Sequence, residues 1–210
     1  MALFRYASKL KKDEHDYLYK WDFTKSLVDE VHKREAVLLR FNSSTDYPVR
    51  DNYGVHIVDN RQGINLLSEN DIFNTDKDYT IEVKFGNCAN NFSSGSRQAL
   101  TFKDTLQTKY SWVAYNHYYW NLTMNGNLQD NDVPLNDRKN IDAFSNSRLI
   151  VNIKKNGRIE IYNGDTLYFH KDNVYMNNYL INWLNIGSES LSSSFSQMVI
   201  EQVLIYENEE

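Results

Sequence analysis

Apolar and polar residues alternate along most of this chain, which is the pattern of strands that bury one face. From Tyr17 to Phe23 an aromatic ring occupies every second position, with Leu18, Lys20 and Asp22 between the rings. In residues 149–170, short apolar runs are separated by two Asn-Gly pairs. Asn-Gly favours tight turns with positive φ. This stretch therefore predicts a meander of three antiparallel strands.

Similar runs recur to the end of the chain, about a dozen in all. Only residues 26–33 have even a weakly helical pattern, and no strand-helix alternation predicts a parallel sheet. So many short strands predict an all-β fold, either a sandwich or a barrel. The further predicted strands are 36–41, 54–58, 79–85, 97–102, 110–115, 118–124, 149–153, 158–162, 166–169, 180–186 and 198–206.

The pattern also divides the chain. Residues 1–16 are charged and lack periodicity, so we interpret them as an N-terminal arm or linker. Residues 17–210 are predicted to form a single β-sandwich domain, because sandwiches of this length are ordinary.

The amino-acid composition supports an all-β fold and excludes some classes of function. The chain has 26 Asn, which suit turns, and 15 Tyr, which suit half-buried sheet surfaces. A net charge of −5 argues against nucleic acid as a partner. No apolar stretch approaches the roughly 18 residues of a membrane span, so no membrane role is expected. A single cysteine and an N-terminus without a signal-peptide core predict synthesis in a cytoplasm.

Several segments resemble the laminin-G-like members of the concanavalin A-like lectin/glucanase superfamily. They lie in the right order between Tyr17 and Tyr206. The resemblance implies an antiparallel two-sheet jelly-roll sandwich. The matching segments are the aromatic-Asp-Phe opening at 19–30, Gly63-Ile64-Asn65-Leu66, the strand at 79–85, the hairpin at 149–164, and the closing segments at 184–188 and 198–206. The closing pattern departs from the superfamily at 194–197, where a Gly-bearing turn is common.

Within the superfamily, the opening segment most resembles domains on tail and baseplate proteins of siphophages. The resemblance implies a carbohydrate-binding or adhesion module of a virion, made in the cytoplasm of the bacterial host. Its expected partners are a host cell-wall saccharide and other tail or baseplate proteins. Because single sugar contacts are weak, oligomerisation is expected to strengthen attachment.

Catalysis is not expected. Glucanases of this superfamily carry a carboxylate pair on one strand, since retaining hydrolysis needs carboxyl groups about 5–5.5 Å apart. The predicted strands carry only single acids, Glu82, Glu160 and Glu201, each interpreted as part of a solvated face. No cofactor motif occurs, and the histidines lack metal-ligand spacing.

Calcium is a weaker hypothesis. The run Asp130-Asn131-Asp132 and Asp137 could supply hard oxygen ligands, but their spacing is not that of an EF-hand. A polar loop with Asx turns is the favoured interpretation. We predict no metal site.

The candidate binding site is an aromatic run at 110–121. Sugars offer a flat C–H face to aromatic rings and hydroxyl groups to polar side chains, and this run supplies both. If Asn116-His117 forms a two-residue turn, one face of the hairpin must be core, so about half of the rings are structural. The predicted carbohydrate-binding residues are Tyr115, His117, Tyr118, Tyr119 and Trp120, with the loop Asp130, Asn131 and Asp132 as a neighbour. Trp21 and Trp183 are predicted to be core residues.

Two alternatives to a saccharide-binding module stay open. The first is a purely structural tail or baseplate domain that docks to neighbouring proteins and binds no sugar. The second is a degenerate glycan hydrolase, which the isolated carboxylates disfavour.

Overall fold

The computed structural model describes residues 16–40, 46–59, 61–67, 73–74, 77–87, 96–104, 111–116, 119–124, 127–133, 147–174, 180–187 and 197–208. These residues form sixteen strands, and every described pairing is antiparallel. No helix occurs in this part of the chain, and thus none long and apolar enough to cross a bilayer. The predicted antiparallel two-sheet sandwich is confirmed. The predicted arm lies outside the described residues except for Asp16.

The strands form two eight-stranded sheets. Sheet 1 has the order β14-β13-β12-β7-β16-β4-β3, with β1 also paired to β16. Its strands are β1 (Tyr17–Asp22), β3 (Val49–Asp51), β4 (Gly54–Ile57), β7 (Tyr79–Phe85), β12 (Arg148–Ile153), β13 (Ile159–Asn163), β14 (Thr166–Lys171) and β16 (Met198–Glu207).

Sheet 2 has the order β11-β10-β9-β8-β15-β5-β2, with β6 also paired to β15. Its strands are β2 (Val37–Arg40), β5 (Gln62–Leu67), β6 (Phe73–Asn74), β8 (Ser96–Asp104), β9 (Ser111–Asn116), β10 (Tyr119–Met124), β11 (Asn127–Leu128) and β15 (Leu180–Gly187). The short strands β3, β6 and β11 were not predicted, and neither was β5, which was recognised only as a lead-in segment.

Strict alternation builds the core between the sheets. In β7, Ile81, Val83 and Phe85 are buried, and every second residue of β12 is buried in the same way. Each such apolar side chain contributes about 1.5–3 kcal/mol by leaving water. Alternate residues of these strands consequently face away from the core and form the outer surface of sheet 1.

Aromatic residues in and just after β1 also pack in this core. Trp21 and Phe23 are fully buried, which confirms the prediction for Trp21. Tyr19 is half-buried and stacks on Trp21 with ring centroids 5.5 Å apart. The side chain of Trp183 lies outside the described residues.

The segment 26–33 contains turns rather than the weak helix its pattern suggested. Asp29 is fully buried and accepts hydrogen bonds from the backbone N–H groups of Lys20 and His32. Asp favours such local side-chain-to-backbone bonds, which compete with a helical ladder.

The predicted meander is present as β12, β13 and β14. Its turns differ from the prediction in one respect: positive φ belongs to Gly157 (82°) and Gly164 (58°), and not to the preceding asparagines. Asn163 pairs with Thr166, so the two-residue turn is Gly164-Asp165. A glycine adopts positive φ without a steric penalty, whereas Asn tolerates it only in part.

Candidate functional site

The predicted aromatic hairpin is present as β9 and β10, with a different turn. Asn116 pairs with Tyr119, so the connection is residues 117–118 and not Asn116-His117. His117 and Tyr118 lie outside the described residues, and Tyr115 and Tyr119 are described only as paired strand positions. Their predicted sugar contacts stay predictions.

Trp120 requires a correction. Its side chain is 1% exposed and stacks on Phe85 of sheet 1 with centroids 6.5 Å apart. Val113 and Leu122 of the same hairpin are also fully buried. Trp120 is therefore a core residue, because a ring closed off from solvent cannot stack on a sugar.

The predicted polar loop lies against the edge strand β14. Asn131 donates from Nδ2 to the Tyr168 carbonyl and accepts from the Val133 backbone N–H at 2.9 Å. Asp132 is exposed and pairs with Lys171 at 2.8 Å, and this hydrogen bond lowers the pKa of its carboxyl. Asn131 is thus a structural Asx residue, whereas Asp130 and Asp132 remain accessible.

Asp132, His170 and Asp172 bring potential metal ligands within 4.8 Å of one another. The two carboxylates are already engaged, Asp132 by Lys171 and Asp172 by Arg158 at 3.3 Å. Because both carboxylates of this exposed cluster are paired with cations, we assign no metal ion to it.

A concave feature formed by the described residues lies elsewhere, on the outer surface of sheet 1. We call it the sheet groove. It has a volume of about 440 Å³, within the range of about 300–1,000 Å³ usual for small-molecule sites, and it is open to solvent. It is lined by Thr80, Ile150, Asn152, Lys154, Tyr162, Gly164, Asp165, Tyr206 and Asn208.

Strand register explains how residues distant in sequence meet here. Ile150 of β12 lies opposite Tyr162 of β13 on one side and Glu82 of β7 on the other. Directly opposite side chains on one face have Cβ atoms about 4.5–5.5 Å apart. Ile150 and Tyr162, both half-buried, therefore form a continuous apolar strip in a polar surface.

One carboxylate fixes the Tyr162 side of the groove. Glu160 accepts hydrogen bonds from Arg158 Nε at 2.7 Å, Tyr162 Oη at 3.1 Å and Asn152 Nδ2 at 3.3 Å. Burial raises the pKa of Glu160, but these donors outweigh it and the net pKa lies below the ordinary value. Glu160 is consequently an ionised anchor that holds the Tyr162 ring in place.

A second carboxylate fixes the opposite side. Tyr206 donates its hydroxyl to Glu82 at 2.7 Å, and burial, followed by this bond to an anion, raises the pKa of Tyr206. Thr80 donates to Asn152 Oδ1 at 2.8 Å and accepts from Asn208 Nδ2 at 2.9 Å. The polar side chains at the base of the groove are therefore connected by hydrogen bonds. The side-chain amides of Asn152 and Asn208 each carry two N–H groups, so each has a second donor for another acceptor.

The positions of Glu82 and Glu160 do not match the close carboxylate pair of a retaining glycosidase. Glu82 and Glu160 lie on strands separated by β12 and are offset by two residues. Strand spacing and the two-residue offset put their backbones about 12 Å apart, and each carboxylate has its own hydrogen-bond partners. The groove thus offers binding chemistry: an apolar strip, amide and hydroxyl groups, and an exposed acid, Asp165.

Sequence reasoning missed this groove. The side chains of Glu82 and Glu160 are 13% and 14% exposed, so both are structural anchors rather than the solvated residues expected. The sequence did contain a usable pattern: in residues 149–162, the side chains that alternate with core residues face outward. These outward-facing residues are Ile150, Asn152, Glu160 and Tyr162.

No protein-family model matches the chain, and no curated protein matches it. Among solved structures, it resembles the binding domain of botulinum neurotoxin serotype D, with a TM-score of 0.59 and 11% identity over 92% of this chain and 48% of that one. It also resembles domain 4 of AbnA, a GH43 extracellular arabinanase from Geobacillus stearothermophilus solved with arabinotriose, with a TM-score of 0.59 and 13% identity over 93% of this chain and 94% of that one.

A serotype D ligand-binding domain in complex with N-acetylneuraminic acid has a TM-score of 0.58 and 10% identity over 92% of this chain and 48% of that one. The chain thus spans about half the length of the neurotoxin binding domains. At such low identity, the similarity supports the β-sandwich fold, and the bound sugars are properties of those proteins.

Proposed function

We propose that this chain is a non-catalytic carbohydrate-binding domain and that the sheet groove is its saccharide site. The observation that carries the proposal is the partly buried apolar strip of Ile150 and Tyr162 on the groove wall, beside the amides of Asn152 and Asn208. A sugar ring packs its C–H face on such a strip and exchanges hydrogen bonds with such amides. The sugar complex of the arabinanase domain, which has the same sandwich fold, supports this assignment.

We further propose that the domain serves adhesion on a siphophage tail or baseplate. The support is the resemblance of the opening segment and the order of the strand motifs. In this setting the chain is made in the bacterial cytoplasm, resides in the virion, recognises host cell-wall saccharide and contacts neighbouring tail proteins. Several copies on one particle would strengthen attachment through effective concentration.

The test is binding of the purified chain to a glycan array and to isolated Gram-positive cell walls. Tyr162→Ala should weaken binding about fivefold, the effect of losing one ring contact worth on the order of 1 kcal/mol. Tyr53→Ala is the matched control, since Tyr53 is 66% exposed near the far edge of sheet 1. Equal binding by wild type and Tyr162→Ala would remove the groove from the proposal.

One observation favours the docking alternative. Tyr47, Val49, Tyr53 and Val58 are all more than half exposed around β3, the edge strand of sheet 1. Exposed apolar side chains near an unpaired edge are suited to protein contacts. If Tyr53→Arg abolishes assembly into tail particles while the wild type binds no saccharide, docking should replace the adhesion proposal.

A further inference from the structure

The charges around the sheet groove restrict the class of saccharide it accepts. Three cations border it, and each is paired with a carboxylate. Lys154 contacts Asp78 at 3.1 Å. Arg148 lies 3.5 Å from Glu82 and 3.6 Å from Asp165, and Arg158 lies 2.7 Å from Glu160 and 3.3 Å from Asp172.

The acids outnumber the bases in this set. Five carboxylates pair with three cations, and Lys155 adds a fourth positive charge beside Asp78, so the charge of this set is still negative when all are ionised. Asp165 lies on the groove wall, so a ligand seated there is close to its charge, which solvent screens in part because the side chain is fully exposed. An arriving anion must therefore approach a like charge at short range.

Among the described residues that line the groove, the one cation is Lys154, and it is already paired with Asp78. To gain Lys154, an anionic ligand must displace Asp78, which is held in addition by the backbone N–H of Lys155 at 2.8 Å. Exchanging one carboxylate partner for another gives little net gain, while the displaced acid loses its partner. Hydroxyl groups meet no such barrier, because they donate to carboxylates and accept from amides and ammonium groups.

We infer that the sheet groove selects uncharged saccharides and discriminates against saccharides that carry carboxylate or phosphate groups. This inference rests on the proposed function and specifies its ligand class. Neutral hexose, deoxyhexose or N-acetylhexosamine polymers fit the groove, whereas uronate, sialylated and phosphorylated glycans do not.

The experiment uses an array of neutral oligosaccharides beside uronate, sialylated and phosphorylated ones. The strongest neutral binder with a primary hydroxyl is then compared by calorimetry with the same oligosaccharide oxidised to a carboxylate at that hydroxyl. We expect the oxidised form to bind about tenfold more weakly, and the neutral form to be insensitive to added salt.

Asp78→Asn sharpens the test, because it leaves Lys154 without its partner while the amide oxygen can still accept from Lys155. This variant should bind the oxidised oligosaccharide severalfold better than wild type does, with a smaller change in affinity for the neutral one. Asp51→Asn, a carboxylate change on β3, is the control and should alter neither affinity.

The outcomes separate the two proposals. Tyr162-dependent binding of the oxidised form at equal or higher affinity overturns the charge selectivity and leaves the saccharide site standing. Failure of every array glycan to bind overturns the proposed function and the selectivity with it.

Discussion

The β9–β10 and β12–β13 hairpins share a period-two pattern of aromatic and apolar residues, yet they differ in which residues face the core. In β9–β10, Trp120 and its neighbours Val113 and Leu122 are buried. In β12–β13 the core takes the aliphatic residues, and Tyr162 is left on the outer surface beside Ile150. Aromatic density alone therefore did not separate Trp120, which is buried, from Tyr162, which lines the sheet groove, whereas the phase of each strand relative to the core does.

The largest expected difference between the two hairpins is in stability. Trp120→Ala should lower the free energy of unfolding by about 3–5 kcal/mol, since it opens a cavity beside Phe85. Tyr162→Ala should cost about 1 kcal/mol, because its side chain is only partly buried and lies outside the core. Urea denaturation of both variants measures this contrast. Equal losses would mean that Tyr162 is also a core residue.

A smaller effect is expected from the groove anchor Glu160. Glu160→Gln weakens the bonds from Arg158, Tyr162 and Asn152 and should cost about 1–2 kcal/mol at neutral pH. Because the folded pKa of Glu160 lies below its ordinary value of 4.5, its contribution is present above that pH and is lost as pH falls through the folded pKa.

Urea midpoints of wild type and Glu160→Gln between pH 7 and 3 give the check. The gap between the two proteins should narrow on acidification. A gap that stays constant would show that the charge of Glu160 does not stabilise the fold.

Tyr206 provides the opposite pH dependence. Its folded pKa is raised above the ordinary value of 10.0, so the stability it contributes is present below about pH 10 and is lost as pH rises further. Tyr206→Phe should cost about 1 kcal/mol near neutrality through the lost bond to Glu82. Thermal unfolding at rising alkaline pH should affect this variant less than wild type. Parallel curves for the two would contradict the assignment.

The smallest effect is predicted for the polar loop. Asp132→Asn removes an exposed ion pair with Lys171, and surface pairs of this kind contribute little. The urea midpoint should not change measurably, and saccharide binding should equal that of wild type. A loss of binding would restore this loop to the site.

Much of the fold was predictable because alternation and turn chemistry are local signals. The prediction of β7 over 79–85 matches the structure, and β12–β14 follow the expected meander. The short strands β3, β6 and β11 were not predicted, since two or three residues carry no periodicity.

The groove was not predictable for a different reason. Its lining comes from β7, β12, β13 and β16 together with residues that follow β12, β13 and β16. Only the sheet order places Thr80 beside Asn152 and Asn208. A single sequence gives the alternation within each strand, but it does not say which strands are neighbours. Glu82 and Glu160 were therefore interpreted as separate surface acids, whereas each anchors one side of the same groove.

The central claim is that saccharide occupies the sheet groove and not the β9–β10 hairpin. The most direct measurement is an NMR titration of the ¹⁵N-labelled chain with the strongest neutral oligosaccharide from the array. The account predicts shifted amide signals for Thr80, Asn152 and Tyr162, with those of Asn116 and Tyr119 unchanged. Shifts concentrated at Asn116 and Tyr119, with Thr80, Asn152 and Tyr162 unmoved, would contradict it.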